Sequence, residues 1–148
     1  MRNAALHEEV RKEQLGIIIA TLRSNGIKTV TVTFDGSGDS GQIEGAEFQP
    51  ECTEQAKHTP LQWRETSDRY EKGTDGNWDY ATDEQSRNGR LEDLIETAVY
   101  RLLEHKHGGW EINEGSFGRF TFDAEKGTVA VEFNQRVESY ETENYTVE

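Results

Sequence analysis

Asp35, Ser37 and Asp39 fall at alternate positions in the run Phe34-Asp35-Gly36-Ser37-Gly38-Asp39-Ser40-Gly41. That is the spacing at which an EF-hand loop presents its first three oxygen ligands to Ca²⁺. The pattern then breaks: Ser40 stands where the turn needs glycine, Gln42 where an apolar residue belongs, and Ala46 where a bidentate acid closes the site. Asp35, Asp39 and Glu44 therefore remain candidate ligands of an irregular Ca²⁺ or Mg²⁺ site, with Glu47 beside them. A solvated acidic loop is the simpler reading, and it needs no metal or other cofactor.

Three other patterns resemble catalytic or binding motifs and fail on context. Gly38-Asp39-Ser40-Gly41 resembles the nucleophile segment of trypsin-like serine proteases, yet only His7 precedes Ser40, on a charged helix, and the chain is too short for two barrels. No catalytic residue is assigned, and the protein reads as a non-enzyme. Gly36, Gly38 and Gly41 match the spacing of a dinucleotide-binding loop, but no helical pattern follows to hold a pyrophosphate, and two aspartates would repel it. His105 and His107 sit two residues apart near a predicted helix end, where they point to different sides and favour carbonyl capping over metal binding.

The 148 residues carry 16 basic and 29 acidic side chains, for a net charge of −13. Such a surface is repelled by phosphate backbones and anionic lipid, so direct nucleic-acid binding and membrane association are excluded as expectations. Residues 1–34 are net positive and the rest net negative. A protein partner with a basic surface would be drawn to the negative part. Cys52 has no second cysteine to pair with, the longest apolar run is Ile17-Ile18-Ile19-Ala20, and charges crowd residues 7–13, so a cytoplasmic protein is expected.

Leu6, Val10, Leu15, Ile18, Ile19 and Leu22 predict an amphipathic helix over residues 4–24, ended by Asn25-Gly26. Val30, Val32 and Phe34 then alternate with threonines as a half-buried strand does, and a return strand through residues 42–48 is plausible. Leu91, Leu94, Ile95, Ala98, Val99, Leu102 and Leu103 predict a second helix with Gly108 at its C′ position. A hairpin follows, with Phe120 and Phe122 opposite Val129, Val131 and Phe133. The expectation is a single α+β domain over 1–148: two helices on one face of an antiparallel sheet of about four strands, on a plan that reads as a duplicated helix-strand-strand unit.

Residues 49–88 read as a polar insertion without periodicity, and residues 138–148 as an acidic tail, either an edge strand or mobile. Trp63, Tyr70, Trp78 and Tyr80 argue against a disordered insertion; they either cover the free sheet face or form an exposed contact patch. The runs Phe34–Gly41 and Gly108-Gly109-Trp110-Glu111-x-Asn113-x-Gly115-x-x-Gly118 resemble a family of small acidic bacterial and phage proteins classed as a domain of unknown function. The resemblance implies an origin in bacteria, phages or mobile elements, and one site shared by both loops, with Asp35, Ser37, Asp39, Trp110, Glu111 and Asn113 as candidates. The leading expectation is a non-enzymatic acidic protein-binding module that engages a basic host or defence protein whose own partner is nucleic acid. The alternatives are a small metal-dependent hydrolase or cation-binding protein using the Asp35–Gly41 loop, and a homo-oligomeric architectural subunit.

Overall fold

The computed structural model describes residues 2–37, 40–107, 115–136 and 141–147. Helix α1 (Ala4–Ser24) occupies the predicted span, and the Asn3 side chain caps it by accepting from the Leu6 N–H at 3.0 Å. Gly26 adopts a φ of 69° just past the helix and redirects the chain into β1 (Thr29–Ser37). β2 (Ser40–Gln49) returns alongside it with a register shift at Thr33/Phe34. After the one-turn helix α2 (Glu54–Lys57) come β3 (Pro60–Lys72) and β4 (Trp78–Arg90), which pass directly into α3 (Leu91–Lys106). All seven apolar residues that predicted α3 are buried. β5 (Ser116–Asp123), β6 (Thr128–Gln135) and β7 (Glu141–Val147) complete the chain.

One sheet has five antiparallel strands in the order β2-β1-β5-β6-β7. Its central strand is β5, which pairs with β1, Val30 opposite Phe122 and Val32 opposite Phe120, so the units α1-β1-β2 and α3-β5-β6 meet strand to strand. Alternation sends Val30, Val32, Phe34, Phe120, Phe122, Val129, Val131 and Phe133 to one face, where they join Ile18 and Leu22 of α1 and the apolar stripe of α3. Full burial of Ile18 or Leu22 contributes about 1.5–3 kcal/mol each. The opposite face carries Thr31, Thr33, Arg119, Thr121 and Glu132 and is largely open to solvent. Gly118 is required where β5 passes beneath Phe34, since a Cβ there would lie 1.9 Å from the Glu132 carbonyl oxygen.

The α+β class holds, with more strands than the sequence led us to expect: five in the main sheet and a second sheet formed by β3 and β4 alone. The acidic tail supplies the fifth strand. There Tyr145 and Val147 pack against the core while Thr142, Asn144 and Thr146 stay exposed. Residues 49–88, expected to lack regular structure, hold α2 and most of the β3–β4 hairpin. Each of these strands has 13 residues, an arm of about 40 Å at the usual rise per residue.

The base of this arm is packed, on α3 through Trp63 and on α1 through polar contacts. Gln14 Nε2–H donates to the Arg64 carbonyl at 2.7 Å, the Arg64 guanidinium spans Glu13 and Glu84, and the Asn3 N–H donates to Thr82 Oγ1 at 2.8 Å. Different α1 residues turn to the sheet: Leu15 and Ile19 face Val129 and Val147 across a groove, and Arg23 donates to the Ala124 carbonyl at 2.6 Å. The helix thus lies between the five-stranded sheet and the arm. For this reason the aromatic residues of the arm do not cover the free face of the sheet.

Candidate functional site

The turn at the tip of the arm is built from Gly73-Thr74-Asp75-Gly76-Asn77. Gly76 takes a φ of 86°, the Gly73 N–H donates to the Asn77 carbonyl at 2.7 Å, and Asp75 Oδ1 accepts from the Asn77 N–H at 3.0 Å. This closure sets Tyr70 directly opposite Tyr80 and Lys72 opposite Trp78. The three aromatic rings therefore share one face. Tyr70 and Trp78 stack with centroids 5.5 Å apart, and Tyr70 and Tyr80 lie at 5.0 Å. Tyr70 remains 60% exposed and Trp78 58% exposed, unusual for large aromatic side chains.

A guanidinium already sits on this surface. Arg2 Cζ lies 3.7 Å from the centroid of the Tyr80 ring, and Arg2 Nε is 3.4 Å from Asp68 Oδ2. Asp68 also accepts from the Thr82 hydroxyl at 2.7 Å and from His7 Nε2–H at 2.8 Å; these two hydrogen bonds hold its carboxyl below the ordinary value. Residues 68–84 contain six acids, Asp68, Glu71, Asp75, Asp79, Asp83 and Glu84, against Arg69 and Lys72. Arg69 is itself spanned by Glu71 and Asp83. The tip is thus an aromatic ladder in a negative field.

The other candidate residues do not join this patch. Trp63, grouped with the other three from sequence, is 5% exposed and belongs to the core, which removes it from any contact surface. Its indole N–H donates to Glu65 Oε1, and its ring lies where a Cβ on Gly89 would be, 2.4 Å from Cη2. Asp35 is engaged by Arg136, whose Nη2 reaches Oδ1 at 3.0 Å and Oδ2 at 2.9 Å while Nη1 donates to the Gly36 carbonyl. The partner of the Asp35 carboxylate is thus a cation of the protein itself. Glu44 is exposed on β2, and Ser37 ends β1. Asp39, Trp110, Glu111 and Asn113 lie outside the described residues, as do Gly108 and most of the second glycine motif. Among the described residues no three His, Cys, Asp or Glu side chains are grouped as a metal site requires, and no helix is long and apolar enough to cross a membrane.

His107, at the end of α3, serves packing. His107 stacks on Phe133 with centroids 3.7 Å apart, and its Nε2 accepts from the Tyr145 hydroxyl at 2.6 Å, tying α3 to β6 and β7. Burial pulls the imidazole below its ordinary value and, with Glu143 nearby, pushes the Tyr145 phenol above its own; both shifts favour the neutral pair.

A family model spans residues 10–148. The chain belongs to a family of unknown function (DUF6878). No curated protein and no solved structure matches it. The match runs from within α1 through β7, the arm included, and agrees with the resemblance to a domain of unknown function that the two glycine motifs carried.

Two measurements check these assignments. A double-mutant cycle with Asp35→Ala and Arg136→Ala, read by urea unfolding, should give a coupling of about 0.5–1 kcal/mol, since both side chains are roughly one-third exposed. Coupling near zero would remove the pair from the structure. Because the folded His107 holds its proton less tightly than the unfolded one, the unfolded state gains protons first on acidification. Stability should fall as pH drops through the ordinary histidine range, from about pH 7 to 5, and His107→Gln should flatten that slope in part, His105 being lowered as well. An unchanged slope would contradict the neutral His107.

Proposed function

We propose that this protein is a non-enzymatic binding module whose β3–β4 arm grips an arginine-bearing, basic segment of a partner protein. The observation that supports the reading is the placement of Arg2, with its guanidinium over Tyr80 and its Nε toward Asp68. A partner's arginine would use the same stacking on the neighbouring Tyr70 and Trp78 faces. Arginine suits this surface better than lysine because its planar cation stacks on a ring while its N–H groups reach a carboxylate. The net charge of −13 steers a basic partner toward the protein, and the stacked rings supply the apolar contact that slows its release.

The arm's construction agrees with that role. Its base is held by α1 and by Trp63, while its tip projects with little packed around it, so partner contacts there cost no core packing. Cytoplasmic location and a phage or mobile-element origin are consistent with the lone cysteine and the acidity, and belong to the same proposal.

Calorimetric titration with an arginine-rich peptide, and with a lysine peptide of equal charge, tests the reading. The arginine peptide should bind more tightly, with an affinity that falls as salt rises. Trp78→Ala should weaken binding about tenfold or more while changing stability by about 0.5 kcal/mol or less. Equal binding of both peptides, or unchanged binding by Trp78→Ala, would overturn it.

A further inference from the structure

A second feature lies on the opposite side of the Asp68 carboxylate, in the cleft between α1, α3 and β3. His7, Arg11 and Gln14 recur at i, i+4 and i+7 along one stripe of α1, and Arg101, Glu104 and His105 recur at i, i+3 and i+4 along α3. With Val10 and Thr66 they line a cavity of about 180 Å³. The cavity is small beside the several hundred Å³ of sites that take drug-sized ligands.

The cations of this cleft are arranged unlike those elsewhere in the protein. Arg2, Arg64, Arg69, Arg87, Arg90, Arg119 and Arg136 each contact a carboxylate, and Arg23 donates to backbone carbonyls. Arg11 instead lies against His105, its Nη2 3.3 Å from the ring Nε2, and Arg101 has no ion pair among the described residues. In a chain with nearly twice as many acids as bases, two guanidiniums that make no ion pair among the described residues therefore line one cavity, Glu8 acting on Arg11 only from beyond ion-pair distance. The surroundings are firm. Gln14 and Val10 are buried, and His7 is fixed from both sides, with Nδ1 2.6 Å from Thr66 Oγ1 and Nε2 2.8 Å from Asp68 Oδ1. The nearest acids weaken the positive field without filling it: Glu104 sits at the rim, and Glu8 is engaged by Lys12 at 3.3 Å.

We propose that this cleft is a binding site for a small phosphate-type oxyanion, held between the guanidiniums of Arg11 and Arg101. Guanidinium groups from two helices match an anion that accepts from more than one direction. The ligand is either free inorganic phosphate or the terminal group of a small phosphate monoester, whose remainder would extend past Glu104 into solvent. The site is independent of the aromatic tip, so one can fail and the other stand.

The test is an NMR titration of the full chain with inorganic phosphate and, separately, with glycerol phosphate, exchanging chloride so that ionic strength is constant. The ring signals of His7 and His105 should shift and saturate. Arg101→Met should weaken that binding about tenfold, whereas Lys126→Met, an equal change of charge on the β5–β6 turn, should leave it unchanged. Saturation with inorganic phosphate assigns the free anion, and saturation with the ester alone assigns a monoester. Shifts that never saturate, or that respond equally to Arg101→Met and Lys126→Met, overturn the proposal; should Arg101→Met fail to fold, failure of the wild-type protein to saturate decides against it alone.

Discussion

A helix that buries side chains on two sides can be satisfied only by two neighbours, and α1 is placed accordingly. Its Ile18 and Leu22 enter the core shared with the five-stranded sheet, and its Gln14 and His7 hold the base of the arm. Removing the sheet would strand the apolar contacts, and removing the arm would leave buried Gln14 without its carbonyl partner, an unpaired group that costs about 1–3 kcal/mol. The two sheets are thereby coupled through α1, and through α3 with Trp63 between them, although among the described residues no strand of one pairs with a strand of the other.

The distribution of charge follows the same arrangement. The net-positive first 34 residues are folded between the acidic arm and the acidic remainder, where Arg2 and Arg23 find carboxylate or carbonyl partners and Glu13 meets Arg64. Those exposed pairs contribute little stability singly, since solvent screens them. Their larger effect is to fix position: Arg2 on Tyr80, and Arg64 across Glu13 and Glu84, orient the arm relative to the helix. Acids still outnumber bases six to two over residues 68–84, so the field beside the stacked rings is negative.

Much of the main sheet was legible because one of its faces is buried and the other wet, which writes a period of two into Val30, Val32 and Phe34 and into Phe120 and Phe122. α3 was legible for the corresponding reason at helical period. The arm was not, because beyond Thr66 both of its faces meet solvent and no alternation survives in Asp68–Lys72 or Trp78–Thr82. A signal was nevertheless present: Asp75-Gly76 marks a turn, and Tyr70 and Tyr80 stand five residues either side of Asp75. Trp63 was misplaced among the exposed aromatics because nothing local distinguishes it from Trp78. The difference lies in Gly89, whose missing side chain admits the indole, and in α3, which begins two residues later. The Asp35–Arg136 pair joins residues a hundred positions apart, and spacing along the chain carries no trace of it.

The account rests on an arm anchored at its base and free at its tip, and native-state hydrogen exchange reads this residue by residue. Amides paired between Leu61–Thr66 and Glu84–Gly89 should exchange as slowly as those of β5, through opening of the whole structure. Those paired between Tyr70–Lys72 and Trp78–Tyr80, beyond the contacts of Asn3 with Thr82 and of His7 with Asp68, should exchange faster, through local opening that leaves the sheet intact. Uniform protection along both strands, or a base that opens before its tip, would contradict the account.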